Sequence, residues 1–153
     1  KNKSRNKTCN KWFETQDSIN YWDDFSKPKI VWGNLNLKAS YAYVKESIYV
    51  NAPGVILAPA NLYLLSVLNS KVSDYYLRKL GVTRNGGYFE YKPMFVGQIP
   101  IPINCSQQEE LSNLCQQLLN TNNKDLEEKI DFIIYDMYHL DEKEKTYIIQ
   151  NSI

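Results

Sequence analysis

The chain has 153 residues, of which 43% are hydrophobic and 23% are charged. This composition is typical of a globular protein and excludes a disordered or fibrous chain, and no apolar run is long enough to span a membrane. The formal net charge of +1 conceals a division: residues 1–100 carry 14 Lys and Arg against 7 Asp and Glu, a net +7, and residues 101–153 carry 4 Lys against 10 acids, a net −6. A basic body favours a polyanionic partner, whereas the acidic part is either a second partner surface or a set of solvated helices.

The N-terminus and the small number of histidines and cysteines exclude further classes of function. The chain starts at Lys1 and its first methionine is Met94, so we expect it to be a piece of a longer polypeptide. No signal-peptide pattern opens it. His139 is the only histidine, and Cys9, Cys105 and Cys115 have no C-x-x-C spacing. We therefore expect neither a metal site nor a histidine-based catalytic triad, and we expect reduced thiols in a cytoplasmic protein.

The first part of the chain predicts β-structure after a flexible lead-in. Residues 1–11, "KNKSRNKTCNK", are basic and lack hydrophobic periodicity. Residues 27–58 begin with "KPKIVW", continue with alternating Tyr and Val, and predict a short antiparallel meander. The tryptophans are predicted to lie in the core: Trp12, Trp22 and Trp32.

Two groups in this region are candidate DNA contacts. Lys27 and Lys29 are two residues apart in an extended strand, so both side chains lie on one face, where they can contact phosphates. The following loop and strand carry Lys38, Ser40 and Tyr41, which we interpret as a second base-reading loop.

One long helix is predicted over residues 61–81, with Asn61 as N-cap and Gly81 as its C-terminal stop. An apolar stripe steps by three and four residues through Leu65, Leu68, Val72, Tyr76 and Leu80. The helix also carries three candidates for phosphate contact, Lys71, Arg78 and Lys79. The alternative for such cations is solubility alone.

Residues 84–93, "RNGGYFEYKP", predict a turn at the two glycines followed by a strand. Arginine can bond guanine at two acceptors, asparagine can bond adenine, and aromatic rings stack on bases. We assign base readout to the tip: Arg84, Asn85, Gly86, Gly87 and Tyr88. Lys92 on the outgoing strand is a further phosphate candidate, and the alternative for the whole stretch is an ordinary exposed hairpin tip.

No catalytic residue is predicted in this chain. Glu90-Tyr91-Lys92 matches half of a metal-dependent nuclease signature, which needs a second carboxylate from a preceding strand. The nearest upstream acid, Asp74, falls in the middle of the predicted helix. An N-P-P-Y-like adenine site, a G-x-G-x-x-G loop and a Walker pattern are all absent from the sequence.

The last third predicts helices. Ser106 with Glu109 forms a capping-box pattern, and Asp141 with Glu144 marks the start of a short third helix. Two apolar faces lie between them, the first at Leu111, Leu114, Cys115, Leu118 and Leu119 and the second at Leu126, Ile130, Ile133 and Met137. The predicted fold class is α+β: a mixed, largely antiparallel small sheet with a packed helix, followed by a C-terminal antiparallel helical pair. The predicted divisions are a lead-in at 1–11, an α/β body at 12–103 and a helical segment at 104–153.

Five segments together resemble a known family: "FSKPKIVW", "YVNAPGVILAP", "LLSVLNSKVSDYYLRKL", "NGGYFEYKPMFVGQIPIP" and "EEKIDFIIYDMYHLDEKE". In this order, over residues 12–150, the chain resembles the TaqI-like C-terminal specificity domain of type II restriction-modification enzymes and adenine-specific DNA methyltransferases. It is also similar to the target-recognition domains of type I specificity subunits. Glu90 departs from the family, in which this position often carries a basic or polar residue, so the acid either faces away from DNA or accepts from a cytosine amino group.

The resemblance implies sequence-specific recognition of double-stranded DNA without catalysis by this segment. The catalytic domain of the same parent chain would then be a partner, using S-adenosylmethionine for adenine methylation, Mg²⁺ for cleavage, or both. An alternative of another class is a protein-interaction or dimerisation module that uses the acidic C-terminal helices. Salt-dependent duplex binding separates the two hypotheses.

Overall fold

The computed structural model describes Lys11, residues 20–103 and residues 105–152. Its sheets are antiparallel and small, and the strands are β1 (Lys29–Gly33), β2 (Leu35–Asn36), β3 (Ala42–Val44), β4 (Gly54–Leu57) and β5 (Phe89–Glu90). β1 lies between β3 and β4, so that Ile30 pairs with Tyr43 on one side and Leu57 on the other. The predicted meander is wrong in its order, because β1 and not β3 is the central strand. β2 lies outside this sheet and pairs with β5 as a separate two-stranded ribbon.

The predicted helix over residues 61–81 is in fact two helices, α1 (Leu62–Asn69) and α2 (Lys71–Leu80). Asn61 caps α1 as predicted, since its side chain accepts from the Leu64 amide at 2.8 Å. Ser70 divides the run because its backbone is extended, at φ −68° and ψ 154°, and its hydroxyl accepts from the Ser73 amide at 3.2 Å. A serine that caps a new helix competes with continuation of the old one, which the apolar stripe alone does not reveal.

The first core cluster lies between the three-stranded sheet and α1 and α2. Trp32 is buried there, as predicted, and its indole Nε1 donates to the Tyr91 carbonyl at 2.7 Å. Cys115, which comes from the helical segment, is buried in the same cluster. Trp22 is 61% exposed, so its predicted place in the core is wrong, and Trp12 lies outside the described residues.

The strand predicted after the two glycines is shorter than expected, because β5 ends at Glu90 and Lys92 precedes a short helix that the sequence does not predict, α3 (Pro93–Val96). The last third is helical, as predicted, with α4 (Gln108–Thr121), α5 (Lys124–Met137) and α6 (Glu142–Asn151). The capping box of Asp141 and Glu144 is present. The one predicted for Ser106 and Glu109 is wrong, because the residue preceding α4 is Gln107 and the Ser106 hydroxyl contacts the Gln107 side chain instead. Leu119, expected on the apolar face of α4, is 52% exposed.

The helical segment packs directly against α1 and shares a core with it. This second cluster contains Tyr63, Val67, Leu111, Leu114, Ile130 and Ile134, all of them buried. Asp131 on α5 also pairs with Lys71 on α2, at 3.0 Å between Nζ and Oδ2. The segment is therefore joined to the body by packing as well as by the chain. No helix in the described ranges is long and apolar enough to cross a lipid bilayer.

Candidate nucleic-acid interface

The ribbon of β2 and β5 brings the two candidate base-reading segments to one place. Leu35 lies opposite Glu90, and Asn36 lies opposite Phe89. Because the ribbon is antiparallel, the residues that follow β2 lie at the same end as those that precede β5. Lys38 and Ser40 are therefore at the end of the ribbon that carries residues 84–88, and all of these residues are exposed.

The turn before β5 depends on its two glycines. Asn85–Gly87 form a tight turn, closed by the Arg84 amide, which donates to the Tyr88 carbonyl at 2.7 Å. Gly86 and Gly87 have φ values of 82° and 80°, in the region that favours glycine. A Cβ on Gly87 would meet nothing within 4 Å, so backbone conformation rather than space requires this glycine.

One buried carboxylate holds two of the predicted DNA-binding cations. The Glu90 side chain is 5% exposed; Oε1 accepts from Arg84 Nε at 2.6 Å, and Oε2 pairs with Lys92 Nζ at 2.9 Å. The Arg84 and Lys92 side chains remain 55% and 44% exposed. Hydrogen bonds from Lys92 and Arg84 hold the pKa of Glu90 below its ordinary value. The Glu90 carboxylate is thus buried and pairs within the protein, as expected if it faces away from DNA.

A second buried carboxylate fixes the other loop. Asp74 Oδ1 accepts from the Ala39 amide at 2.7 Å and from the Tyr91 hydroxyl at 2.6 Å. Asp74 Oδ2 accepts from Arg78 Nε at 2.7 Å, and Arg78 Nη2 donates to the Leu37 carbonyl at 2.7 Å. The Arg78 side chain is only 10% exposed, so its assignment to phosphate contact is wrong. Sequence reasoning missed this positioning role of Asp74, although the i,i+4 spacing of Asp74 and Arg78 is a signal for such a pair.

The structure also corrects two other predicted contacts. Lys29 is fully buried, and its Nζ donates to the Glu46 carbonyl at 2.8 Å, so it cannot reach a phosphate. Tyr41 is 7% exposed, with its ring centroid 5.4 Å from that of Trp32, so it cannot stack on or bond to a base. Burial raises the pKa of the Tyr41 hydroxyl. Both residues belong to the body's core.

The remaining cations lie in three settings. Lys27 is exposed and pairs with Asp24 at 2.7 Å. Lys79 is exposed, with Nζ 5.2 Å from the centroid of the Tyr75 ring. Lys71 faces the helical segment through its pair with Asp131, rather than the ribbon. Phosphate contact stays a prediction for these three lysines and for Lys92.

A cleft of about 500 Å³ separates the residues around Lys38 from the helical segment. Its walls include Tyr41, the paired Lys71 and Asp131, and the exposed Glu127 and Glu128 of α5. Burial raises the pKa of Asp131, and the bonds from Lys71 offset part of that effect. Within the described ranges there is no group of three or more His, Cys, Asp or Glu side chains that could hold a metal ion.

Comparison with models of known protein families gives a match to most of the body. The family model described as TaqI-like C-terminal specificity domain matches residues 1–101. The match includes the three-stranded sheet, α1, α2 and the ribbon with its two loops, and it ends before α4. A search of curated proteins finds no match to the chain.

Proposed function

The chain belongs to the TaqI-like C-terminal specificity domain family, and from this we propose that it is the sequence-recognition domain of a restriction-modification enzyme. It binds double-stranded DNA and directs the catalytic domain of the same parent polypeptide to its site. The chemistry is adenine methylation from S-adenosylmethionine, Mg²⁺-dependent cleavage, or both, and it belongs to the rest of the parent polypeptide. The protein works in the cytoplasm, where it meets its DNA.

The observation that carries the proposal is the pair of exposed loops at one end of the ribbon. One loop offers Arg84, Asn85 and Tyr88, and the other offers Lys38 and Ser40. Arginine and asparagine are the side chains that bond purine edges in the major groove, and hydroxyl groups bond any base. Buried carboxylates behind both loops fix them on the body, so the groups that would meet DNA need little ordering on binding.

The charge of the body supports the same proposal. Residues 1–100 carry the net +7, so the loops stand on a basic support that attracts the phosphate backbone. Lys27, Lys79 and Lys92 are the exposed or half-exposed phosphate candidates of this part. Phosphate contacts position the protein, and the loops then specify the sequence.

Selection from a random duplex pool by the full-length polypeptide tests the proposal. We expect one defined sequence to be enriched, and the affinity for it to fall steeply with salt. If about four phosphates are contacted, the slope of log K against log salt is roughly −3 to −4. A pool that stays random, or an affinity independent of salt, would overturn the proposal and favour a protein-interaction module built on the acidic helices.

A second measurement addresses the absence of catalysis. The chain alone is incubated with the selected duplex, Mg²⁺ and S-adenosylmethionine, beside the full-length polypeptide as positive control. We expect activity only from the full-length polypeptide. Site-specific cleavage or methyl transfer by the isolated chain would show that the catalytic groups lie within it.

A further inference from the structure

We infer that Glu90 is a positioning residue for base reading. It bonds the Arg84 guanidinium on the side of Nε and Nη2, so that the outer N–H groups of Nη1 and Nη2 are presented to a guanine. This inference rests on the proposed function and deepens it. Glu90 does not touch the base, and it acts through Arg84.

The hydrogen bonds on Arg84 leave the reading edge open. A guanidinium has five N–H donors, and Glu90 Oε1 is bonded by Nε and also contacts Nη2. The three remaining N–H donors lie on Nη1 and Nη2, which form the end of the fork. A two-point contact with guanine O6 and N7 uses two such parallel donors. This side chain is 55% exposed although its Nε and Nη2 contact a buried carboxylate, so much of it remains accessible to a ligand.

Glu90 itself is fixed through both its backbone and its side chain. It lies on β5 opposite Leu35, and its backbone amide donates to the Val82 carbonyl at 3.2 Å. Its other carboxylate oxygen pairs with Lys92 at 2.9 Å. A fixed carboxylate therefore sets the position of a base-reading cation and of a phosphate-binding cation relative to each other.

The same arrangement has a cost in electrostatic attraction. Two cations share one anion, so the group of Arg84, Glu90 and Lys92 carries +1 rather than +2. Loss of the Glu90 charge should strengthen binding to any duplex while it weakens discrimination at one base pair. These opposite changes distinguish a positioning role from simple loss of folding, which would weaken both.

The test compares Glu90→Ala with Arg84→Ala and the double variant in the full-length polypeptide, on the selected site and on single-substituted sites. We expect Glu90→Ala to lower discrimination at least about five-fold, the lower end of what a bidentate contact is worth, and at the base pair affected by Arg84→Ala. In the double variant, the loss of discrimination at that base pair should not exceed the loss caused by Arg84→Ala alone. The salt slope on random duplex should become steeper by about 0.9.

Two further variants keep the test decisive. Glu90→Gln preserves shape if Glu90→Ala does not fold, and it should give a smaller loss at the same base pair. Glu46→Gln removes an equal charge from an exposed acid of the body and should leave discrimination unchanged. The inference is overturned if the Glu90 variants discriminate as the unchanged protein does, or if losses add in the double variant. If the unchanged protein selects no sequence, the proposed function fails first.

Discussion

Asp74 offers the sharpest test of how the body holds its loops, through the substitution Asp74→Ala. Its carboxylate is 6% exposed and accepts from Arg78 Nε, the Ala39 amide and the Tyr91 hydroxyl. Removing it leaves the Arg78 guanidinium, itself 10% exposed, without its charge partner. Breaking a buried pair from one side costs about 3–5 kcal/mol, a large part of the roughly 5–15 kcal/mol that stabilises a typical domain.

Urea denaturation followed by tryptophan fluorescence measures this cost, because Trp32 bonds to the Tyr91 carbonyl and reports on the same region. The matched control is Glu110→Ala, whose carboxylate is 53% exposed and lies 3.7 Å from Lys129 Nζ. An exposed pair of this kind contributes about 1 kcal/mol or less. If Asp74→Ala costs no more than the control, then Asp74 does not fix the loop, and our account of the interface is refuted.

Three further predictions concern the turn, the Glu90 ion pairs and Tyr41. Gly87→Ala should lower the unfolding free energy by about 1–2 kcal/mol, because Gly87 has a positive φ. The control Gly33→Ala should be neutral or slightly stabilising, and equal effects of the two substitutions would contradict this reasoning. Because the pKa of Glu90 lies below 4.5, its ion pairs stabilise the fold above that pH and are lost as pH falls through the lowered pKa. Glu90→Gln should therefore reduce the difference in unfolding free energy between pH 7 and about pH 3, and an unchanged difference would count against the pairs. Tyr41→Phe should be neutral or stabilising, because the buried hydroxyl bonds to none of the described residues, and it should leave sequence discrimination intact; a loss of discrimination would restore Tyr41 as a base reader.

The sequence predicts best the features that local chemistry decides. Asn61 caps α1, a short helix starts at Asp141 and Glu144, and Trp32 is buried in the core, all as expected. Each of these depends on side chains within a few residues or on strong hydrophobicity. The α+β class follows from the same local signals, since strand and helix patterns occupy separate stretches of the chain.

Several failures have a different cause, which is the pairing of charged groups with partners that the local sequence pattern does not reveal. The sequence predicts a surface lysine at position 29, but the Lys29 ammonium donates to the Glu46 backbone carbonyl, 17 residues away. The sequence predicts that Arg78 is a cation at the end of a helix, yet its guanidinium donates to the Leu37 backbone carbonyl, 41 residues away. Glu90 reads as a departure from its family, and only the geometry of the turn brings Arg84 to it. Periodicity carries no information about such partners, because they are set by the tertiary fold.

The central claim, that Arg84 reads a base from a fixed position, is tested most directly by comparing Arg84→Ala with Lys92→Ala. Both substitutions remove one positive charge paired with Glu90. Repeated selection from the random duplex pool with each full-length variant should give different outcomes. We predict that Arg84→Ala loses preference at one base pair, with a cost of about 1–3 kcal/mol on the original site, while Lys92→Ala keeps the whole consensus and flattens the salt slope by about one. A uniform loss of affinity with an unchanged consensus for Arg84→Ala would contradict the account and make this arginine a phosphate contact.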